Sequence, residues 1–219
     1  MKVNIELNDD LSEQVRCVFY DDNNKRTIKT CSFFDLLSAL NTQVDNKVDW
    51  KNLQELDYPK GFIKAWMGNC GAGFTGIVIL KKDAGKDTIV INDVPYNIPL
   101  PTLVFKLWVQ NGNLVNATVY ALNSAMQLCR YPLTNVYNDA HICWGTCKLP
   151  NIKNIMDASQ IPELFVKFPG NKDLTNTETL AFAGVNSILQ LYSELENMDT
   201  FPDRWLKPSE ITYNEFIKI

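Results

Sequence analysis

Hydrophobic and polar residues alternate with a period of two near the start of the chain. The alternation runs through residues 3–7 and 15–19, and a further β-rich run at 26–31 follows a polar turn at 21–24. A period of two is typical of β-strands that bury one face. The opening of the chain is therefore expected to form short strands that pair through turns.

A helix is predicted directly after these strands. Ser32 has the position of an N-cap, Asp35 follows it at the third position, and apolar residues recur beyond it at helical spacing. The strands and this helix form a predicted N-terminal β-β-α addition over residues 1–48. A polar, poorly periodic stretch at 41–59 leads to a second domain, which is predicted over 60–219.

The clearest local signal is a hairpin in the second domain. Two β-rich runs, 102–110 and 113–122, are joined by Asn111 and Gly112. This dipeptide suits a type I′ turn, because both central residues of that turn have positive φ. The pattern predicts two long antiparallel strands.

Weaker patterns complete the second domain. β-rich runs at 76–82 and 88–91 come before the hairpin, and prolines punctuate residues 95–101. Apolar residues at helical spacing over 178–197 predict one amphipathic helix with its stripe in the core, and the apolar segment 201–208 is expected to pack back. This mixture of strands and helices indicates an α+β protein.

Composition and charge narrow the function classes. The chain has 219 residues, 46% of them hydrophobic, and a net charge of −4. Nucleic acids and anionic membranes attract proteins with excess positive charge, so neither is an expected partner. The first residues lack the apolar core of a signal peptide, and no apolar run approaches the roughly 18–20 residues of a spanning helix. We expect a cytoplasmic protein.

A glycine-rich run at 68–73 invites comparison with a phosphate-binding loop. It lacks the Gly-Lys-Ser/Thr ending of that loop, and the residues that follow it, 76–82, look like a strand and not a helix. A glycine-rich turn is the preferred interpretation.

Six cysteines and a single histidine raise the question of metal or redox chemistry. Zinc would recruit Cys129, His141, Cys143 and Cys147, but the C-x-x-C pair common in zinc sites is absent from the sequence. A redox pair of Cys143 and Cys147 is within reach and also lacks that motif. We expect reduced thiols, most of them buried, and no metal or cofactor.

A third interpretation treats Cys143 as a nucleophile. A thiolate that attacks a thioester needs an exposed position and an amide donor for the oxyanion. Asn135 lies eight residues before Cys143, and the turn-forming residues 138–140 can fold the two together. Spacing alone leaves open that Cys143 is a buried strand cysteine beside Trp144, and it keeps Cys147 as a second candidate nucleophile.

The string T-N-V-Y-N-D-A-H-I-C-W-G, residues 134–145, resembles the active-site segment of ubiquitin-conjugating enzymes. In those enzymes an H-P-N triplet precedes a tyrosine-containing turn and the thioester-forming cysteine, with the same spacing from asparagine to cysteine. Together with P-L-P-T-L-V-F and the Asn-Gly hairpin, residues 99–150 are similar to the prokaryotic ubiquitin-conjugating-enzyme-like family D, which includes protein B of the PRTRC plasmid-associated system. The tail F-P-D-R-W-L adds weaker support.

The resemblance implies an antiparallel β-meander flanked by helices and the chemistry of a conjugating enzyme. Cys143 would accept the C-terminal acyl group of a ubiquitin-like protein from an activating enzyme and pass it to an amine acceptor, while Asn135 would support the oxyanion. A metal-dependent deubiquitinase-like peptidase is a further expected partner. The alternative is a non-catalytic scaffold of the same fold in a plasmid or antiphage defence system.

Departures from the family pattern limit what is carried over. Leu133 and Thr134 stand in place of the His and Pro of the triplet, and Trp144 and Gly145 replace the Leu-Asp that commonly follows the cysteine. Another residue must therefore fill the role of the triplet histidine. No residue is assigned to the role of the aspartate that usually follows the cysteine. The altered triplet favours the scaffold alternative.

Supporting roles are assigned from the local sequence. Asp139 is a nearby candidate for deprotonating the acceptor amine and Asp157 a distant one, although a turn or surface carboxylate is the commoner case for both. Tyr131 and Tyr137 are expected to be half-buried aromatics whose hydroxyls can line the site. His141 is expected to have no chemical role.

Overall fold

The computed structural model of the protein describes residues 2–6, 15–22, 25–31, 53–57, 61–68 and 73–219. The chain divides into two compact units, Met1–Lys47 and Val48–Ile219. We refer to the second as the main unit. The finer division predicted from the sequence, residues 1–48 and 60–219, stays a proposal.

The first unit contains a three-stranded antiparallel sheet. Its strands are β1 (Lys2–Glu6), β2 (Val15–Tyr20) and β3 (Arg26–Cys31), in the order β1-β2-β3. The helix predicted after Ser32 lies outside the described residues, as does most of the predicted linker.

The main unit is built on a six-stranded antiparallel sheet. Its strands are β4 (Gln54–Glu55), β5 (Phe62–Met67), β6 (Gly76–Lys82), β9 (Thr102–Gln110), β10 (Asn113–Leu122) and β11 (Leu128–Arg130), in the order β11-β10-β9-β6-β5-β4. Strands β6, β9 and β10 occupy the predicted positions. Asn111 and Gly112, with φ of 50° and 77°, form the turn between β9 and β10.

A separate two-stranded ribbon differs from the sequence prediction. It consists of β7 (Gly85–Ile91), which begins three residues earlier than predicted, and β8 (Val94–Leu100), which contains two prolines of the punctuated stretch. Asn92 and Asp93, both with positive φ, form the turn. Because β8 pairs with β7 in a sheet of two strands, its other edge tolerates residues without an N–H to donate.

Helices follow the sheet along the chain. The described part of the main unit contains α1 (Ile161–Lys167), α2 (Thr177–Ala183), α3 (Ile188–Glu196) and α4 (Tyr213–Phe216), with 3₁₀ helices at Ile155–Gln160 and Asp203–Trp205. Within the described ranges, every helix is too short or too polar to traverse a lipid bilayer.

The prediction of a single helix over 178–197 is wrong, because the structure has two helices there, α2 and α3. The chain leaves the helical conformation at Gly184, where φ is 76°, and Ser187 caps the start of α3 by accepting a backbone N–H. Glycine after a helix and serine before one are common stop and start signals. Within α3, Leu191 is buried, whereas Leu189, which belongs to the apolar stripe predicted over 178–197, is 43% exposed.

The main core lies between one face of the six-stranded sheet and the helices. Phe165 of α1 is a central member, since its ring centroid lies 5.6 Å from Phe105 of β9, 5.3 Å from Tyr131 and 6.1 Å from Trp144. The apolar tail packs back as predicted, through the buried residues Phe201, Trp205 and Leu206.

The opposite face of the sheet carries a second, smaller cluster. It contains Ile77, Ile79 and Val104, together with the buried ring of Phe216 from α4. Antiparallel sheets with helices thus confirm the predicted α+β fold.

Candidate active site

Residues 135–143 form a short hairpin that ends at the cysteine. Its arms are joined by backbone hydrogen bonds from Tyr137 N–H to the His141 carbonyl, 2.9 Å, and from Cys143 N–H to the Asn135 carbonyl, 2.8 Å. We call this segment the cysteine hairpin. It brings the backbones of Asn135 and Cys143 into direct contact.

Two residues of the cysteine hairpin have left-handed backbone conformations. Ala140, with φ of 69°, closes the turn by donating its N–H to the Tyr137 carbonyl at 2.9 Å. Asn135, with φ of 67°, starts the first arm. Asparagine is one of the residues that tolerate this conformation best, which gives position 135 a structural reason for its side chain.

Strand β10 holds the second arm of the cysteine hairpin. Val119 N–H donates to the Ala140 carbonyl at 3.0 Å, and Ile142 N–H donates to the Ala117 carbonyl at 2.9 Å. The arm therefore continues the sheet beside β10, and Cys143 follows it by one residue.

Cys143 lies outside the strands and is only half-buried. The Tyr137 hydroxyl donates a hydrogen bond to its Sγ at 3.4 Å. This hydrogen bond is the main cause of a raised pKa of Tyr137, so the phenol stays protonated and remains a donor at neutral pH. The thiol is thus accessible, fixed by its own backbone and touched by a hydroxyl.

The side chain of Asn135 is directed toward a loop that follows α1. Its Nδ2 lies 3.5 Å from the carbonyl oxygens of both Phe168 and Pro169. Both contacts are at the long limit for hydrogen bonds and are correspondingly weak. Redirecting this amide toward an oxyanion at Cys143 would therefore cost little.

The two residues that replace the His and Pro of the triplet are buried. Leu133 is 2% exposed in the main core, and Thr134 is 3% exposed. Thr134 Oγ1 lies 3.4 Å from the Tyr192 hydroxyl, and burial raises the pKa of Tyr192 to about 12. Apolar packing and one buried hydrogen bond therefore anchor the chain just before Asn135.

The chain after Cys143 is anchored by Trp144. Its ring packs edge-on against Phe165, and its carbonyl accepts the Cys147 N–H at 2.8 Å across a turn in which Gly145 has φ of 47°. Cys147 is half-buried, and its Sγ is 3.9 Å from the Lys148 carbonyl.

His141, which was predicted to have no chemical role, contacts two polar side chains. Its Nε2 lies 3.1 Å from Asn116 Nδ2 of β10, and its Nδ1 lies 3.0 Å from Asp139 Oδ1. The Asp139 carboxylate also accepts the His141 backbone N–H at 3.2 Å. Although partial burial raises the pKa of Asp139, the backbone N–H and the nearby ring of His141 outweigh that effect and hold the pKa below its usual value. The sequence Asp139-Ala140-His141 was the signal from which a contact between the carboxylate and the imidazole could have been predicted.

The structure assigns structural tasks to two other candidates. Asp157 caps the 3₁₀ helix at Ile155–Gln160, because its carboxylate accepts the N–H groups of Lys153 and Asn154. Tyr131 is buried against Phe165, and burial raises the pKa of its hydroxyl well above the usual value.

The four residues considered for zinc do not converge. Cys129 is fully buried in the main core, and burial raises the pKa of its thiol to about 11. Among the described residues, no group of three or more His, Cys, Asp and Glu side chains is arranged to hold a metal ion. The middle of the glycine-rich run, residues 69–72, lies outside the described part of the chain.

Comparison with known proteins adds one family. The family described as prokaryotic E2 family D matches residues 76–209, more than half of the chain, and this range includes the whole cysteine hairpin. No curated protein and no solved structure gives a significant match.

Proposed function

The chain belongs to prokaryotic E2 family D, and from this premise we propose that it is a thioester-forming transferase for a ubiquitin-like protein. The observation that carries the proposal is the accessible Sγ of Cys143, 3.4 Å from the Tyr137 hydroxyl, at the end of a hairpin that holds Asn135 beside it. The implied partners are an activating enzyme that uses ATP and the ubiquitin-like protein itself.

In the first step the Cys143 thiolate attacks the thioester carbonyl on the activating enzyme. A new C–S bond forms, a tetrahedral oxyanion develops, and the thiolate of the activating enzyme leaves. One thioester replaces another of similar energy, so the protein contributes mainly orientation and stabilisation of the oxyanion.

In the second step an acceptor amine attacks the thioester on Cys143. A C–N bond forms, the C–S bond breaks, the amine loses a proton, and Cys143 is released as a thiolate. No metal or redox cofactor takes part in either step as proposed.

Donors for the oxyanion are available at the end of the hairpin. The Asn135 amide is one, since only two weak contacts to the Phe168 and Pro169 carbonyls hold it away from Cys143. The Tyr137 hydroxyl is the other, because acylation turns the sulfur into a poor acceptor and frees the phenol to donate elsewhere. Removal of one such donor typically slows acyl transfer by about 10²–10³.

The test is formation of an adduct by the full-length protein. It is incubated with ATP, a matching activating enzyme and that enzyme's ubiquitin-like protein, and the products are separated on a non-reducing gel. A reductant-sensitive adduct is expected for the wild type and for Cys147→Ala, none for Cys143→Ala, and a reductant-resistant ester for Cys143→Ser.

The second candidate is a non-catalytic scaffold of the same fold. The buried Leu133 and Thr134 in place of the triplet residues, and the direction of the Asn135 side chain, favour it. A folded wild-type protein that binds both partners but forms no adduct would support the scaffold. An adduct that persists in Cys143→Ala would contradict the assignment of the nucleophile.

A further inference from the structure

A polar pocket of about 170 Å³ adjoins the cysteine hairpin. Tyr137 and Asp139 line it from the hairpin, Tyr120 from β10 and Arg130 from β11, and Glu210 is a further lining residue. The hydroxyl of Tyr137, a residue that lines the pocket, also contacts Cys143 Sγ, so the pocket lies next to the nucleophile. A side chain that approaches Cys143 through this pocket meets aromatic walls and a carboxylate.

The charges in the pocket favour a cation. Arg130 is occupied, since it donates to the Asn138 carbonyl at 2.8 Å and pairs with the Glu210 carboxylate at 3.4 Å. In the part of the chain that the structure describes, Asp139 has no lysine or arginine partner, and its carboxylate faces the ring of His141. The Asp139 carboxylate therefore adds negative charge near the hydroxyl of Tyr137, whose pKa Asp139 also raises, though less than Cys143 does.

Asn116 contacts the ring of His141, and that ring lies beside the carboxylate of Asp139. With the Asn116 amide oriented as assigned, its nitrogen donates to Nε2 of His141, and the ring proton then lies on Nδ1, toward Asp139. This Nδ1 is buried and, within the described part of the chain, has no hydrogen bond of good geometry, although Asp139 Oδ1 is only 3.0 Å away. A buried donor of this kind strongly favours a nearby acceptor, which tethers the carboxylate to the ring.

We propose that Asp139 receives the acceptor amine and that His141 is the positioning residue that aims it, in the place left vacant by the usual acidic neighbour of the cysteine. The inference rests on the proposed function and extends it to the second step. Asp139 attracts the ammonium group of the acceptor into the pocket. One proton leaves the ammonium group for water before the attack, because only the neutral amine has a lone pair. As the C–N bond forms and the C–S bond breaks, the nitrogen loses its second proton to water, and Cys143 leaves as a thiolate.

The experiment loads the full-length protein without its protein partners. A diglycine peptide thioester of mercaptoethanesulfonate serves as the acyl donor, and intact-protein mass spectrometry follows the adduct on Cys143. Excess donor is removed, and discharge is timed with L-lysine and, separately, with hydroxylamine. Hydroxylamine is uncharged at neutral pH, so its attack does not depend on a carboxylate that attracts an ammonium group.

Asp139→Asn is expected to load like the wild type and to discharge to lysine roughly 10- to 100-fold more slowly, because the ammonium group is no longer positioned, with discharge to hydroxylamine unchanged. His141→Asn keeps an amide donor where Nδ1 lies and is expected to retain most of the rate. His141→Gln places its amide at the Nε2 position, away from Asp139, and is expected to lose most of the rate of discharge to lysine. Glu196→Gln, an exposed carboxylate on α3, is the matched control and should behave as wild type.

The outcomes separate this inference from the proposed function. Lysine discharge at the wild-type rate in Asp139→Asn overturns the inference and leaves the thioester chemistry intact. Equal slowing with lysine and hydroxylamine also overturns it, because it indicates a damaged hairpin. A folded wild-type protein that does not load at Cys143 overturns both.

Discussion

At the scale of single residues, position 133 shows how this chain departs from the family pattern. Leu133 is 2% exposed and packs among apolar side chains of the main core, where the family triplet has a histidine. Thr134 and Tyr192 add a buried hydrogen bond one residue later. Apolar packing of Leu133 thus anchors the chain before the hairpin, at the position where the family has a histidine. The single histidine of this chain lies at position 141.

This packing predicts that restoring the family residue is harmful. Leu133→His is expected to lower the free energy of unfolding by about 2–4 kcal/mol, because it removes apolar burial and introduces a polar ring without partners. Urea denaturation followed by circular dichroism measures the change. Val115→His, at a position that is 52% exposed on β10, is the matched control and should stay within about 0.5 kcal/mol. A Leu133→His variant as stable as wild type would contradict this account.

At the scale of elements, the loop after α1 packs against Thr134 and Asn135, which occupy the last two positions of the family triplet. Gly170 donates its N–H to Val90 at 2.8 Å and accepts from Asn92 N–H at 3.0 Å, so the ribbon β7-β8 fixes it. A Cβ at Gly170 would lie 2.5 Å from Thr134 Oγ1 and 3.3 Å from Asn135 Nδ2. The loop therefore lies so close to Thr134 and Asn135 that only a glycine fits at position 170 without a shift of its neighbours.

Gly170→Ala is expected to reduce the free energy of unfolding by about 1–3 kcal/mol, since Thr134 is buried and cannot retreat. Thr134→Ala removes the opposing oxygen, so the double variant should be less destabilised than the sum of the two single variants. A double-mutant cycle in urea measures this coupling. Gly85→Ala, whose new Cβ meets nothing within 4 Å, is the control. Strict additivity at Gly170 and Thr134 would refute the contact.

Elements with a strong local signal were predictable from the sequence. The strands β9 and β10 follow from alternation and from the Asn-Gly turn, and both depend on neighbours in the chain. The strand β8 was missed because prolines are rare in strands, and a ribbon of two strands removes that objection. The break at Gly184 was visible in the sequence, but the apolar stripe on both sides of it suggested continuity.

The candidate site was predictable only in part. The turn between Asn135 and Cys143 depends on residues within nine positions and could be anticipated. The direction of the Asn135 side chain depends on the carbonyls of Phe168 and Pro169, and the Asp139 contact depends on Asn116 holding the His141 ring. These partners are distant in sequence, so local patterns carry no information about them.

At the scale of the main unit, the sheet is covered on both faces by different means. Helices and the tail pack on one face, and the short helix α4 packs on the other, where Lys106 Nζ donates to the Phe216 carbonyl at 3.2 Å. Burial lowers the pKa of Lys106. The core between sheet and helices also encloses groups that ionise only at high pH, among them Cys129 and Tyr192.

These buried groups predict a loss of stability in alkali. The pKa of Cys129 rises from 9.0 to about 11 and that of Tyr192 from 10.0 to about 12, in both cases mainly through burial. Below about pH 9 both states hold these protons. Between pH 9 and 12 the unfolded chain releases them first, so the folded state binds more protons and stability falls as pH rises. Each group contributes on the order of 2 kcal/mol to this loss.

The free energy of unfolding of the wild type is therefore expected to decline between pH 9 and 12, as measured by urea titrations at fixed pH. Cys129→Val removes one of these groups while keeping an apolar side chain, so its decline should be smaller by on the order of 2 kcal/mol, whatever its stability at pH 7. Cys147→Val changes a half-buried thiol on a turn and should follow the wild-type curve. An unchanged slope in Cys129→Val would mean that the thiol of Cys129 reaches water in the folded protein, contrary to its place in the core.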